Sequence, residues 1–294
     1  MVPPILLAVP NVSEGRDAQT ITAVADAFAG SGADGARLLD VHTDADHHRS
    51  VFTLAGPALA LADALLRGAR AAVERVDVMA RAGPGAGHAG QHPYVGALDV
   101  VPLVYVAPSD RGAACAAALV VGDRIGAELD VPVFLYGELS GSDPGSARTR
   151  AMLRRGGVAG LGARIAAPDG ALAPDFGPRQ MHPSAGATLL AARPPLVAFN
   201  LQLAPPATLE DARRIAAQVR EGGERGLPGV RAIAVALSGD VAQVSMNVER
   251  PLELPLATVL AAVEARAQVA TAELVGLAPA AALEGFPSEI PLAT

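Results

Sequence analysis

At 294 residues, 51% of them hydrophobic, the chain can bury one large core or two medium ones, and two domains are expected. A formal charge of −7 and an aromatic share of 3% exclude the basic, stacking surface of a nucleic-acid binder. All 23 basic residues are arginine, which excludes Schiff-base chemistry, a pyridoxal phosphate anchor and a Walker lysine.

Arginine forks suit carboxylates, so a small-molecule partner is expected. No charged segment precedes Ile5 to Pro10 and no apolar run reaches spanning length, so neither leader nor membrane contact is expected and the setting is cytoplasmic. The single Cys115 sits in an alanine-rich helical stretch and reads as a buried bystander.

In chain order, Ile5 to Val9 is a strand, Asp17 to Ala29 a helix, and Ala36 to Val41 and Val51 to Leu54 are strands. Pro57 to Val76 is a helix and Val100 to Val106 a strand, completing βαββαβ. A helix over Arg111 to Leu129, a strand over Val131 to Tyr136 and a short helix over Ala147 to Arg155 extend it. Pro168, Pro174, Pro178 and Pro183 mark residues 166 to 186 as loop.

Leu196 to Leu203 opens a second series, followed by a helix that Thr208 and Asp211 cap and that ends near Gly222. Val230 to Leu237 and Val241 to Val248 flank the turn Ser238-Gly239-Asp240, before a helix over Ala257 to Val269 and a strand over Leu274 to Leu277. The order is again βαββαβ. The fold class is therefore α/β, of the α+β kind, with two successive ferredoxin-like subdomains over 1–190 and 191–294 and a ligand cleft between them.

All six histidines fall in three loop-like stretches, a distribution that suggests a site assembled from distant segments. The best candidate is His92 in Gly90-Gln91-His92-Pro93-Tyr94-Val95-Gly96-Ala97-Leu98-Asp99, fixed by a proline and delivered to the start of an apolar strand, as an acid/base residue would be. Gly85 to Gly90 spells G-x-G-x-x-G but follows a helix and runs into His92-Pro93, so it reads as a loop able to close on a ligand. His88 and His92 are four apart, yet Gly90 and Pro93 oppose a helix and no carboxylate completes a zinc spacing, so no metal is expected. Asp44, Asp46 and Arg49, beside His42, His47 and His48, form either a solvated turn or a polar pocket. Asn11-Val12-Ser13-Glu14-Gly15-Arg16-Asp17 is either a capped strand-to-helix turn or a ligand-facing helix start presenting Asn11, Ser13 and Glu14.

Val9-Pro10-Asn11-Val12-Ser13-Glu14-Gly15, Leu38-Leu39-Asp40-Val41, Arg49-Ser50-Val51-Phe52-Thr53 and Gly90-Gln91-His92-Pro93 together resemble the glutamate formimidoyltransferase family. Val131 to Glu138, Pro174 to Pro178, Ala198-Phe199-Asn200, Gln243 to Asn247 and Leu274 to Leu277 continue the resemblance through nearly the whole chain. It implies two subdomains with facing sheets and helices outside, tetrahydrofolate as co-substrate between them, no metal, and a homodimer. His92 matches the family's catalytic histidine, and His42 to Arg49, with Asp44, Asp46 and Arg49, matches its segment of assisting charges. The folate-contacting loop matches Gly177, Pro178, Arg179, Gln180, Met181, His182, Pro183, Ser184, Ala185 and Gly186. With the chain ending at Thr294, no cyclodeaminase domain is expected.

The chain departs from the family at His48, Ala89, Tyr94 and Ala185. With Ala185 in place of an aromatic residue, folate binding weaker by one stacking contact, about 0.5 to 1.5 kcal/mol, is expected, and Ala185→Trp should restore it. The implied reaction moves a formimidoyl group from N-formimidoyl-L-glutamate to N5 of tetrahydrofolate. His92 takes one proton and returns it, Glu14, Asp44 or Asp46 holds the amidine, and Arg49 forks onto a donor carboxylate. Alternatives are a relative with another one-carbon donor or acting on 5-formyltetrahydrofolate, a metal-dependent hydrolase, and a non-catalytic folate-binding protein.

Overall fold

The structure is a computed structural model that describes residues 3–31, 35–82, 92–141, 147–168 and 172–294. His88, Ala89 and the Gly85 to Gly90 motif lie outside the described residues. The chain divides into two compact units, Met1–Pro194 and Pro195–Thr294.

The first unit holds β1 (Ile5–Ala8), β2 (Asn11–Val12), β3 (Arg37–Asp44), β4 (Arg49–Pro57), β5 (Leu98–Val104), β6 (Val133–Leu135) and β7 (Thr188–Arg193) in one sheet. β1 and β2 act as one strand broken at Val9-Pro10, since both pair antiparallel with β4 on one side and β5 on the other. Proline has no N–H for the ladder, which accounts for the break. With β3 on the far side of β4, these strands make the ferredoxin-like arrangement that the βαββαβ order predicts. β7 then adds parallel to β5, and β6 parallel to β7.

Helices α1 (Ala18–Ala29), α2 (Ala58–Arg75), α3 (Val78–Arg81), α4 (Arg111–Leu129), α5 (Arg150–Arg154) and α6 (Gly157–Ile165) complete the unit. α1 begins where the Asp17 carboxylate accepts from Gln19 N, satisfying a donor that the helix cannot. Its buried Val24 and Phe28 join a core with Phe52, Leu54, Leu61 and Leu65. The Phe28 and Phe52 rings are 5.0 Å apart. Each such side chain contributes roughly 1.5 to 3 kcal/mol on burial, which fixes α1 and α2 on the sheet and so fixes the strand ends that carry the polar residues.

In the second unit β8 (Val197–Leu203), β9 (Val230–Leu237), β10 (Val241–Val248), β11 (Val269–Leu274) and β12 (Leu292–Ala293) form a sheet in the order β12-β11-β8-β10-β9. Val197, Phe199, Leu201 and Leu203, two apart on β8, are buried with residues of α7 (Leu209–Val219) and α8 (Leu256–Glu264). Thr208 and Asp211 cap α7 reciprocally, and Asp240 has a positive φ in the β9–β10 hairpin.

Three expectations need correction. The last helix stops at Glu264 and the strand after it is Val269–Leu274 rather than Leu274 to Leu277, because Val269, Ala272 and Leu274 are buried in pairing with β8. α6 fills the stretch between the helix expected to end at Arg155 and the loop expected from residue 166, and β7 follows Gly186, two places where no element was expected. A boundary at 190/191 would cut through β7, and the units part after Pro194.

Candidate active site

The β3–β4 hairpin places Asp44 opposite Arg49, with His47 and His48 in the turn between them. Asp44 Oδ1 accepts from His47 N at 2.8 Å, and Oδ2 accepts from His47 Nδ1 at 2.6 Å. Burial raises the Asp44 pKa, but the hydrogen bonds from His47 outweigh it and the carboxyl lies below its ordinary value. His48 takes a positive φ, and its Nδ1 accepts from Gly15 N at 3.1 Å. A Cβ on Gly15 would lie 2.1 Å from Asp44 O, so only glycine lets the β2–α1 turn press against this hairpin.

Arg49 reaches inward from the hairpin. Its Nε donates to Asn11 Oδ1 at 2.8 Å, and its Nη1 donates to Asp99 Oδ2 at 2.8 Å and to His92 Nδ1 at 3.1 Å. Asp99, fully buried, also accepts from Arg154 on α5 and, through Oδ1, from Val95 N at 2.9 Å. Burial alone would raise the Asp99 pKa; Arg154 and Arg49 outweigh it and hold the carboxyl below its usual value. Burial pushes the Arg49 guanidinium down to about 10, against the opposing pull of Asp99, so it stays charged at neutral pH. Burial, then the charges of Arg49 and Arg154, press the His92 pKa well below the ordinary imidazole value. The rings of His92 and His47 lie 6.4 Å apart, so two imidazoles, one on a carboxylate and one on a guanidinium, share one locality.

Ser13 and Glu14 are buried and committed, where a ligand-facing role was one of the two readings. Ser13 Oγ donates to Gly96 O at 2.7 Å. Glu14 Oε1 accepts from the N–H groups of Gly15, Arg16 and Asp17, and Oε2 accepts from Arg81 on α3. Burial would raise the Glu14 pKa, and these hydrogen bonds lower it instead. The carboxylate thus closes a helix start and is not left to hold an amidine. Asn11 acts on Arg49, and Asp46 is half-buried in the hairpin turn.

Of the loop from Gly177 to Gly186, Gly177, Arg179, Gln180 and Pro183 are exposed, while Pro178, Met181, His182 and Ser184 are half-buried. His182 Nδ1 accepts from Ala185 N at 3.0 Å, and His182 and Gly186 exchange backbone hydrogen bonds. Ala97 N donates to Ala185 O at 2.8 Å and Val78 N to Ser184 O at 2.9 Å, which ties the end of the loop to the segment after His92 and to α3. The positive φ of Gly177 and Gly186 serves packing on Val131 O and Val95 O inside the unit. Ala185 is 2% exposed within the core, so its Cβ offers no wall for a ring, and the expected gain from Ala185→Trp is withdrawn.

Asp99, Arg81 and Arg154 were not among the sequence-derived site residues, and His47 entered only as a neighbour of Asp44, Asp46 and Arg49 in the polar turn. Asp99 stood in the His92 stretch, and an acid heading a fully buried strand was a usable signal. Nothing local marks Arg154, whose partner is 55 positions away. Among the described residues no group of three or more His, Cys, Asp or Glu is arranged to hold a metal ion.

Residues 5–193 match the family described as formiminotransferase domain, N-terminal subdomain. The chain is 34% identical over 285 residues to a glutamate formimidoyltransferase of Streptococcus pyogenes serotype M1, covering 95% of this chain and 90% of that protein. It is 32% identical over 281 residues to the glutamate formimidoyltransferase of Thermoplasma acidophilum, covering 94% and 88%. Against the formimidoyltransferase-cyclodeaminase of Gallus gallus the identity is 38% over 287 residues, with 94% of this chain but 50% of that protein covered. The chain spans about half the length of that larger relative.

Proposed function

The chain belongs to the formiminotransferase family, and on that premise we propose that it transfers a formimidoyl group from N-formimidoyl-L-glutamate to N5 of tetrahydrofolate, giving 5-formimidoyltetrahydrofolate and glutamate. The observation that carries this reading is the setting of His92, with Nδ1 held by Arg49 and the Asp44–His47 pair beside it. Attack by N5 on the amidine carbon releases a proton at N5, and departure of the glutamate amine consumes one. A site with two imidazoles is equipped for both events, and acid/base help of this kind is worth about 10² to 10⁴ in rate.

Asp44 and Arg49 support this chemistry by holding His47 and His92. Since Arg49 is engaged by Asn11, His92 and Asp99, we assign recognition of a donor carboxylate to Arg150, which precedes Arg154 by one helical turn and whose charge bears on Arg49. We assign the acceptor to the loop from Gly177 to Gly186, because Ala185 O accepts from Ala97 N and Gly186 lies in an antiparallel bridge with Gly96, both within five residues of His92. The family resemblance also brings a two-subunit, cytoplasmic enzyme, whose subunit number sedimentation would read. No helix among the described residues is long and apolar enough to cross a membrane.

The test is to incubate the purified protein with N-formimidoyl-L-glutamate and tetrahydrofolate and follow both products by mass spectrometry. Glutamate and 5-formimidoyltetrahydrofolate should appear in equal amounts. Folate binding by calorimetry without any transfer from this donor would overturn the donor assignment, and absence of folate binding would overturn the whole reading.

A further inference from the structure

The two imidazoles of the site are fixed in opposite tautomers by what touches their Nδ1 atoms. His47 Nδ1 lies 2.6 Å from Asp44 Oδ2. An ionised carboxylate only accepts, so Nδ1 of His47 carries the proton and Nε2 presents a lone pair. His92 Nδ1 lies 3.1 Å from Arg49 Nη1. A guanidinium only donates, so Nδ1 of His92 presents the lone pair and Nε2 carries the proton. The first arrangement is that of a base with its orienting acid, and the second is that of a neutral N–H donor.

We propose that His47, oriented by Asp44, is the proton-transfer base of the reaction, and that His92 takes part as an uncharged N–H donor. The inference rests on the transferase reading and divides between two residues the duties that one histidine would otherwise perform in turn. For His92 to act as base through Nε2, its proton would have to move to Nδ1, against the Arg49 N–H that now points there. His47 meets no such obstacle, because protonating its Nε2 leaves the bond to Asp44 in place and strengthens it. With ring centroids 6.4 Å apart, one bound molecule can touch both side chains.

The nitrogen lone pair of N5–H attacks the carbon of the amidinium donor, forming the C–N5 bond and sending the C=N pair onto the terminal nitrogen as a new lone pair. His47 Nε2 takes the N5 proton. The same proton passes to the glutamate nitrogen, the C–N bond to it breaks with its electron pair, and neutral amine leaves as the amidinium reforms on N5. No proton is gained or lost overall. The terminal NH₂ acquires its lone pair only when the carbon is tetrahedral, so a hydrogen bond from His92 Nε2–H favours the intermediate over the ground state. Burial and the neighbouring Arg49 and Arg154, which keep His92 uncharged at neutral pH, agree with this role.

The test has an arm that needs no turnover. In the full-length protein labelled with ¹⁵N-histidine, nitrogen chemical shifts should show His47 protonated at Nδ1 and His92 protonated at Nε2. In the activity arm, His47→Gln should fold with an unchanged melting temperature and lose about 10²-fold or more in kcat. Imidazole in solution should restore at least tenfold of the loss in His47→Ala. The proposal is overturned by the reverse tautomers, by kcat within threefold of wild type in His47→Gln, or by imidazole rescue of His92→Ala and not of His47→Ala. A wild-type protein that transfers nothing would sink the transferase reading and the base role that rests on it, whereas the spectra would still decide the tautomers.

Discussion

Arg49 and Asp99 form a buried ion pair, with 2.8 Å between Nη1 and Oδ2, and Arg154 closes on the same oxygen from α5. One carboxylate thereby neutralises half of a doubly cationic cluster that water scarcely reaches. Asp99→Asn should lower unfolding stability by about 3 to 5 kcal/mol, the cost of leaving buried charge uncompensated. Urea unfolding measures it directly. A variant as stable as wild type would mean that the arginines have other counter-charges.

His92→Ala should fold normally and lose about 10²-fold or more in kcat with little change in KM, since one hydrogen-bond donor at the reacting centre is worth about that much. Steady-state kinetics with both substrates decide the matter, and near-normal kcat would remove His92 from the reaction.

Gly15→Ala tests the seating of the hairpin. The added Cβ would lie 2.1 Å from Asp44 O and 2.5 Å from Arg49 N, both backbone atoms, so the hairpin must move as a whole. The expected result is a stability loss of about 1 to 3 kcal/mol with an activity loss larger than that of a remote destabilised variant. Thermal melts and kcat together are the check, and wild-type values in both would refute close packing here.

Ala185→Trp should destabilise by about 1 to 3 kcal/mol or more through overpacking, and it should not tighten folate binding. Calorimetry on the variant reads both, and tighter binding would show that position 185 opens toward the ligand after all.

Acid should weaken the fold in two stages. Burial lowers the pKa of His48 and His182 from 6.5 and presses that of His92 well below it, so folding favours their neutral forms. As pH falls below 6.5 the unfolded chain takes up protons that the folded chain refuses, and stability drops. Glu14, Asp44 and Asp99 lie below the ordinary carboxyl values of 4.5, 3.8 and 3.8, so their contribution is present above those values and is lost as pH falls through their folded pKa. The urea midpoint, followed from about pH 8 to about pH 2, should begin to fall near 6.5 and steepen below about 4.5; a midpoint flat down to about pH 5 would contradict the histidine stage.

Where hydrophobic period and caps agree, the sequence alone was sufficient: Arg111–Leu129, Val230–Leu237 and Val241–Val248 are read correctly to the residue. β7 is obscured because both its faces are buried beside parallel neighbours, so Thr188-Leu189-Leu190-Ala191-Ala192-Arg193 shows no alternation. α6 is obscured by the glycines of Gly157-Val158-Ala159-Gly160-Leu161-Gly162, which lower helix propensity while tertiary packing of Val158, Leu161 and Ile165 holds the helix. In the site, the local turn Asp44 to Arg49 was visible as a polar cluster. Whether Glu14 and Ser13 faced a ligand or the protein was decided by Arg81 and Gly96, partners 67 and 83 positions away, and such distances leave no trace in local pattern.

The late strand β7, lying between β5 and β6, also sets an order of assembly during synthesis. Residues 98–104 and 133–135 emerge from the ribosome well before 188–193, yet the later strand must slot between them. Until it does, β5 and β6 each offer an open edge, and the carbonyls and amides there are templates for another chain. A nascent or truncated product ending before Thr188 would therefore carry the whole His92 segment and still be unable to close its sheet. Such fragments should be insoluble and reliant on chaperones, and the first unit should become protease-resistant only after Arg193 has cleared the exit tunnel.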